Sequence, residues 1–179
     1  HMNEKPPSIH QEIRDFCIQN RLISRGDGIL LAVSGGPDST ALLHVFRELQ
    51  REFQFELGVA HVNHGIRGAD ADLDQQFVKD MTESLGMSFF STRLQIAELK
   101  EKRESPEEAA RRVRYTYLFE TMKLQGFDKL ATSHTLEDNI ETILYRLATG
   151  TGTGGAGGIH PQNGAVIHPL LALSKKRIL

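Results

Sequence analysis

The sequence predicts an α/β fold in which helices cover both faces of a five-stranded parallel sheet. Short apolar runs alternate with longer amphipathic segments along the chain, and this alternation is typical of βαβ units. Because parallel strands need right-handed crossovers, we expect the strand order 3-2-1-4-5. With 179 residues, 39% of them hydrophobic, the chain is long enough for a single domain, residues 1–179, with a sizeable core.

Each element is predicted from its local pattern. Ser8 is a candidate cap for an amphipathic N-terminal helix over about residues 8–24. The predicted strands are residues 28–33, 55–62, 87–94, 129–132 and 165–170. The predicted helices after the first strand are residues 40–50, 70–85, 105–125 and 135–149, with a last helix from residue 174. The charged residues 100–104 lack periodicity, so we expect a mobile connector there.

Apolar spacing also predicts which faces of two helices meet the core. In the helix over residues 70–85, the inward residues are Phe77, Val78, Met81 and Leu85. In the helix over residues 135–149, one apolar stripe is expected to face the core, and it consists of Leu136, Ile140, Ile143, Leu144 and Leu147. Glu137, Asp138 and Glu141 lie off that stripe.

The most informative stretch is residues 28–50, where a strand, a glycine turn and a helix follow one another directly. The turn reads Ser34-Gly35-Gly36-Pro37-Asp38-Ser39. Adjacent glycines let an anion approach the main chain, and the start of the helix offers unpaired N–H groups and a positive dipole end. Ser34 and Ser39 add hydroxyl donors, and Asp38 could cap the helix or hold Mg²⁺. The pattern favours a phosphate site; the alternative is an ordinary capped turn.

A second polar constellation follows the predicted fourth strand. Glu137 and Asp138 each lie within one helical turn of Glu141, and like charges so spaced destabilise a bare helix. A cation or an amine-bearing ligand would explain them, whereas the alternative is that they only complement the helix dipole. In the expected strand order, residues 34–39, 61–64 and 133–138 converge on one crevice at the carboxyl ends of the strands.

Composition limits the classes of function. The formal net charge of -2 argues against a protein that grips nucleic acid by itself. Cys17 is the only cysteine, so no disulfide can form within the chain, and a cytoplasmic setting is expected. There is no run of about 18 apolar residues, so we predict no membrane span. The oligomeric state is left open, a homodimer included.

Several motifs resemble those of one enzyme family. Residues 34–39 resemble the S-G-G-x-D-S signature of the PP-loop ATP pyrophosphatases, and residues 134–142 are similar to the H-H-x-D-D-Q-x-E-T motif of tRNA(Ile)-lysidine synthetases. Four further segments match that family in the same order: residues 61–67, 107–115, 150–159 and 168–175. The chain therefore resembles the N-terminal catalytic domain of that family. The resemblance implies a Rossmann-like PP-loop fold.

The resemblance also implies a reaction and a set of roles. These enzymes use ATP and Mg²⁺ to adenylate the wobble cytidine of tRNA(Ile), and free L-lysine then displaces AMP. The implied nucleotide-binding residues are Ser34, Gly35, Gly36, Asp38, Ser39, Ala60 and Val62. The implied metal ligands are Asp38 and Asp138. The implied catalytic residues are Asp38, His134, Glu137, Asp138 and Glu141. The two glutamates are candidates for recognising the lysine ammonium group or for assisting its deprotonation. The implied substrate-binding residues are His64, Glu107, Arg111 and Arg114.

The chain departs from the family motifs at Thr135, Glu137, Asn139, Thr149 and His168, which stand for His, Asp, Gln, Arg and Arg. Since the family carries further domains, we expect an isolated catalytic domain that lacks the C-terminal tRNA-binding domains, binds ATP and modifies tRNA poorly alone. Two alternatives remain open. One is tRNA 2-thiolation, which needs more cysteines than Cys17. The other is a nucleotide-sensing module without chemistry.

Overall fold

The fold is described from a computed structural model over residues 5–65, 68–150 and 157–179. The elements are α1 (Ile9–Gln19), β1 (Gly28–Ala32), α2 (Pro37–Phe53), β2 (Glu56–Asn63), α3 (Ala69–Ser84), β3 (Ser88–Arg93), α4 (Ile96–Leu99), α5 (Pro106–Gln125), β4 (Lys129–Ala131), α6 (Leu136–Thr149), β5 (Gln162–Asn163), β6 (Val166–Ile167) and α7 (Lys175–Ile178). Parts of two motifs, residues 66–67 and 151–156, lie outside the described residues.

The strands form one sheet in the order β3-β2-β1-β4-β6-β5. The strands β3, β2, β1, β4 and β6 pair in parallel. Strand β6 is the predicted fifth strand, so the expected order 3-2-1-4-5 is confirmed for these five. The prediction of five strands was wrong by one, because β5 adds an antiparallel edge to β6. Strand β6 is also shorter than predicted. It ends before Pro169, which has no N–H to donate to a neighbouring strand.

Helices cover both faces of the sheet, as predicted. On β1, Ile29 and Leu31 point to one face and pack with α1 and α2, whereas Leu30 points to the other and packs with Leu118 of α5. This division follows from the alternation of side chains along a strand. Helix α1 ends at Gln19, earlier than the predicted residue 24.

The predicted core face of α6 is wrong. No residue of α6 is buried, and Leu144 and Leu147 in its apolar stripe are 60% and 61% exposed. A helical period shows that apolar residues share a side, but it carries no information about what that side packs against. Phe77 on α3 is likewise 51% exposed, although Val78 beside it is fully buried as predicted.

The charged connector before α5 is hydrogen-bonded to an arginine of that helix. Its Glu104 carboxylate accepts hydrogen bonds from Arg112 at 2.8 and 3.1 Å, and the same guanidinium donates to the Leu99 carbonyl. The hydrogen bond from Arg112 lowers the pKa of Glu104 to about 2. Helix α5 then begins with the predicted capping box between Ser105 and Glu108. Of the helices in the described ranges, none has the length and apolar character needed to cross a bilayer.

Candidate active site

The loops after β1, β2 and β4 line one cleft of about 630 Å³. This is the convergence that the strand order predicts, since the carboxyl ends of parallel strands share one edge of the sheet. The cleft residues from these loops and from α5 include Ser34, Asp38, Ala60, Val62, His64, Arg114, Tyr115, Leu118, His134 and Asp138. A cavity of this volume suits a ligand the size of a nucleotide.

The glycine turn after β1 is preformed around one hydroxyl group. Ser39 Oγ accepts hydrogen bonds from the backbone N–H groups of Ser34 and Gly35 at 3.1 and 3.2 Å. The same hydroxyl donates to the Gly36 carbonyl at 3.2 Å. Helix α2 begins within this turn, at Pro37, and no side chain caps its first N–H groups. The start of a 17-residue helix is therefore left uncapped at the cleft, which favours an anion.

Gly35 and Gly36 differ in backbone conformation, and this difference gives a prediction. Gly35 has φ +99°, a conformation that side chains rarely adopt, whereas Gly36 has an ordinary φ of -73°. We expect Gly35→Ala to lower the free energy of unfolding by about 1–3 kcal/mol. Gly36→Ala should change it by less than about 1 kcal/mol. Urea unfolding of the two variants measures this difference, and equal losses would contradict it.

Asp38 and Asp138 face each other across the cleft. Both contact the ammonium group of Lys175, Asp38 Oδ2 at 3.4 Å and Asp138 Oδ1 at 3.3 Å from Nζ. Two residues that are 100 positions apart in the chain thus meet beside the glycine turn. Two carboxylates beside a turn that is suited to an anion could together hold a divalent cation such as Mg²⁺. In the described ranges, no cluster of three metal-binding side chains exists, so a cage made by protein alone is not present there.

The two carboxylate oxygens of Asp138 have different partners. Its Oδ2 accepts hydrogen bonds from the Thr135 N–H at 2.9 Å and the Thr135 hydroxyl at 3.0 Å, which closes the cap of α6. Its Oδ1 is left facing the cleft and Lys175. Burial alone would raise the pKa of Asp138, but the hydrogen bonds from Thr135 and the contact with Lys175 outweigh it, so its pKa lies below the usual value.

The other predicted acidic residues lie apart from the cleft lining. Glu137 accepts hydrogen bonds from the Ser174 hydroxyl at 2.8 Å and the Lys175 N–H at 2.9 Å. These two bonds hold its pKa below the usual value, that from the Lys175 N–H contributing most. Glu141 is exposed on α6, and Glu107 is exposed in the first turn of α5. Glu137 therefore anchors the segment that carries Lys175.

The far end of the cleft is apolar. Ala60 and Val62 at the end of β2 face it together with Leu118 and Tyr115. His61 Nδ1 lies 2.7 Å from the Val33 carbonyl, to which it donates, and this bond ties the ends of β1 and β2 together. An apolar floor next to exposed strand ends is suited to a flat base whose edge bonds to the backbone.

Histidines occupy both sides of the cleft. Burial lowers the pKa of His64, and its Nδ1 is a buried atom without a hydrogen-bond partner among the described residues. His134 Nδ1 lies 2.7 Å from the Thr132 hydroxyl, and His168 Nδ1 lies 2.5 Å from the same oxygen. The two rings meet edge to face at 5.1 Å. Burial lowers the pKa of both rings, that of His168 to about 4.

Two arginines of α5 flank an aromatic ring that lines the cleft. The guanidinium groups of Arg111 and Arg114 lie 5.6 and 5.4 Å from the centroid of the Tyr115 ring. Arg114 lines the cleft, whereas Arg111 is exposed beside it. Stacking on Tyr115 orients both cations, which leaves their N–H groups available for phosphate oxygens.

Sequence reasoning missed three residues of this site: Thr132, His168 and Lys175. His168 and Lys175 belong to the segment over residues 168–175 that matches a family motif, but the motif alone assigns neither residue a role. Lys175 is separated by 37 positions from Asp138 and by 137 from Asp38. Local periodicity cannot report a contact over such distances.

Comparison with known proteins gives the family. A family model described as a PP-loop domain matches residues 7–179. Proteins named tRNA(Ile)-lysidine synthase are similar over most of the chain. That of Chlorobaculum tepidum is 40% identical over 162 residues, which are 90% of this chain and 49% of the relative. That of Thermosipho africanus is 43% identical over 169 residues, which are 94% of this chain and 38% of the relative.

A third relative, from Petrotoga mobilis, is 38% identical over 171 residues, 95% of this chain and 53% of its own length. The chain thus spans between about a third and a half of these curated relatives. Among solved structures, the U34-tRNA thiolase NcsA from Methanococcus maripaludis has a TM-score of 0.77 over 95% of this chain and 60% of its own, at 20% identity. That likeness supports the fold alone. The glycine turn, the strand order and the match over nearly the whole sequence show that this chain belongs to the PP-loop domain family, with tRNA(Ile)-lysidine synthases among its relatives.

Proposed function

We propose that this chain carries the catalytic centre of an enzyme that ligates L-lysine to C2 of the wobble cytidine of tRNA(Ile). In the first step, O2 of the cytidine attacks the α-phosphorus of ATP and pyrophosphate leaves. In the second, an amino group of lysine attacks C2, loses a proton, and AMP departs with the oxygen. The observation that carries the proposal is the pairing of Asp38 and Asp138 across the cleft beside the glycine turn.

The cleft offers matching surfaces for the parts of ATP. The phosphates fit the turn at Gly35 and Gly36, where the uncapped start of α2 and the Ser34 and Ser39 hydroxyls surround an anion site. The adenine fits the apolar end at Ala60 and Val62. There the strand ends offer backbone groups to the edge of the base.

A divalent cation fits between the paired carboxylates. Asp38 and Asp138 would hold Mg²⁺, which when bound neutralises charge on the phosphates and on the departing pyrophosphate. Both carboxylates are partly buried, with side chains 24% and 28% exposed. Partial burial strengthens their attraction to a cation relative to open solvent.

Proton handling falls to an imidazole. His134 lines the cleft, and its lowered pKa keeps it neutral near pH 7, with its Nδ1 fixed by Thr132. A neutral imidazole can take the proton that the lysine ammonium group must lose before its amine attacks C2. His64, whose buried Nδ1 lacks a partner among the described residues, supplies a contact to the nucleotide or the substrate.

The remaining candidates for substrate recognition are two arginines of α5 and the acidic residues of α6. Arg111 and Arg114 are placed to meet phosphates of the tRNA or of ATP. Glu137 is occupied by Ser174 and Lys175, so Glu141 is the remaining acidic candidate for the ammonium group of lysine. Because the net charge is -2, we expect this chain to bind tRNA weakly. A tRNA-modifying reaction also agrees with the expected cytoplasmic setting.

The thiolation alternative is disfavoured by the single cysteine. Cys17 is fully buried in the core, and burial raises the pKa of its thiol to about 12. A buried, protonated thiol is a poor nucleophile and cannot carry sulfur to a base.

The proposal is tested by incubating the chain with ATP, Mg²⁺, radiolabelled lysine and a tRNA(Ile) transcript with a wobble cytidine. We expect lysine to be incorporated slowly, because the chain binds tRNA weakly, and AMP to be released in an equal amount. A transcript with uridine at the wobble position is the matched control and should accept none. ATP binding without AMP release would instead support a nucleotide sensor.

A further inference from the structure

Lys175 contacts the two aspartates of the site, yet the proposed reaction gives it no role so far. Its ammonium group contacts both paired carboxylates, at 3.4 Å from Asp38 and 3.3 Å from Asp138. It therefore occupies the position between the two carboxylates where a divalent cation fits. Of the cationic side chains in the described ranges, it is the one with an ion pair to either of these aspartates.

The backbone of Lys175 is fixed whereas its ammonium group is not buried. Glu137 accepts a hydrogen bond from the Lys175 N–H at 2.9 Å and another from the Ser174 hydroxyl at 2.8 Å. The Lys175 side chain is nevertheless 43% exposed. A long, flexible stem on an anchored backbone lets the ammonium group change partners without any movement of the fold.

The binding of a divalent cation and a triphosphate changes the charges around Lys175. Lys175 and a divalent cation repel each other and compete for the same two carboxylates. A triphosphate at the start of α2 brings several negative oxygens next to Asp38, which is itself part of that first turn. An ammonium group released from the carboxylates is thus within reach of a stronger anion. Lysine is a common phosphate ligand in proteins for this reason.

We propose that Lys175 is a further nucleotide-binding residue, which balances Asp38 and Asp138 in the empty cleft and pairs with the phosphates once a divalent cation takes its place. This rests on the proposed function only in that ATP and a divalent cation share the cleft. Lys175 therefore has opposite effects on the affinities for the two ligands. It opposes the binding of the cation alone and favours the binding of the nucleotide.

Because the two expected effects have opposite signs, Lys175→Met is a sharp test: it keeps most of the length of the side chain and removes its charge. Mn²⁺ is titrated without nucleotide by electron paramagnetic resonance, and ATP with Mg²⁺ by equilibrium dialysis. We expect the variant to bind Mn²⁺ about 3- to 10-fold more tightly, since two partly exposed ion pairs no longer compete. We expect it to bind ATP about 10-fold more weakly.

Lys176→Met is the matched control, because Lys176 is the exposed neighbour and the same charge is lost. It should leave both affinities within about 2-fold of the wild type, which excludes a general effect of net charge. Lys175→Arg keeps the charge and should bind ATP within about 3-fold of the wild type. Tighter Mn²⁺ binding cannot arise from misfolding, so the test does not depend on the stability of the variant.

Unchanged or weaker Mn²⁺ binding by Lys175→Met overturns the proposal, as does unchanged or tighter ATP binding. Equal shifts in Lys175→Met and Lys176→Met also overturn it. Both measurements are of binding, so they are separate from the lysine-ligation assay. A wild-type chain that ligates no lysine would defeat the proposed reaction, while the two opposite shifts would still support this role for Lys175.

Discussion

Asp138→Asn should lower the rate of pyrophosphate release by roughly 10²- to 10³-fold while the fold stays intact. The two oxygens of Asp138 have separate tasks, Oδ2 capping α6 through Thr135 and Oδ1 facing the cleft. An asparagine carbonyl can still accept the hydrogen bonds from Thr135, so the cap survives. The negative charge that would hold the cation is lost, and the departing pyrophosphate requires that cation. Initial rates with saturating ATP and tRNA measure the effect.

Asp80→Asn is the matched control, because Asp80 is exposed on α3 and away from the cleft. It should leave the rate unchanged, and urea unfolding should show that both variants retain most of the wild-type stability. If Asp138→Asn instead turned over at the wild-type rate, the cation would have to bind elsewhere. If it lost rate and stability together, the cap rather than the charge would explain the loss.

Asp38→Asn supplies a second, independent test of the shared cation. When two residues act on one ion, removing both costs little more than removing one. We therefore expect Asp38→Asn combined with Asp138→Asn to be no more than about 10-fold slower than either single variant. A fully multiplicative loss would show that the two carboxylates act on different groups.

The cleft could be located from the sequence because strands are recognised from local patterns, and their order then brings distant loops together. Apolar runs such as residues 28–33 identify strands, and the handedness of crossovers then places the loops after β1, β2 and β4 at one edge. Asp38 and Asp138 follow two of those strands directly. Their meeting across the cleft therefore needed no knowledge of side-chain packing.

What sequence could not predict depends on contacts between distant segments. The stripe of α6 has helical spacing, but whether Leu144 meets a core depends on where the helix leaves the sheet. Strand β5 has only two residues and too little alternation to recognise. Glu137 was a candidate for the lysine amine, yet the structure pairs it with Ser174, 37 positions away.

His168 should make the stability of the protein fall as the pH drops below about 6.5. Burial, with smaller contributions from His134 and Arg111, lowers the pKa of His168 from 6.5 to about 4. Below pH 6.5 the unfolded chain binds a proton at this residue that the folded chain does not yet bind, so unfolding becomes more favourable. Between pH 7.5 and pH 5 this amounts to roughly 2 kcal/mol of unfolding free energy. The residue is 6% exposed, so solvent screening is small.

His168→Asn isolates this contribution. Asparagine places a nitrogen near the position of Nδ1 and can keep a hydrogen bond to Thr132, but it does not titrate. Urea unfolding at pH 7.5 and pH 5 should show a loss on acidification that is about 2 kcal/mol smaller in the variant than in the wild type. His160→Asn, at an exposed position, is the control and should keep the wild-type loss.

Burial beside a second imidazole and Arg111 explains why His168 resists protonation in the folded state, and both rings contact the Thr132 hydroxyl. The hydroxyl has one proton, so it can donate to only one of the two Nδ1 atoms beside it, at 2.7 and 2.5 Å. One imidazole must therefore accept through Nδ1 while the other donates. Protonating both rings would make both donors and would place two cations in edge-to-face contact beside Arg111. If the wild type and His168→Asn lost equal stability on acidification, His168 would have to be charged in the folded state at pH 5, and this would contradict its lowered pKa.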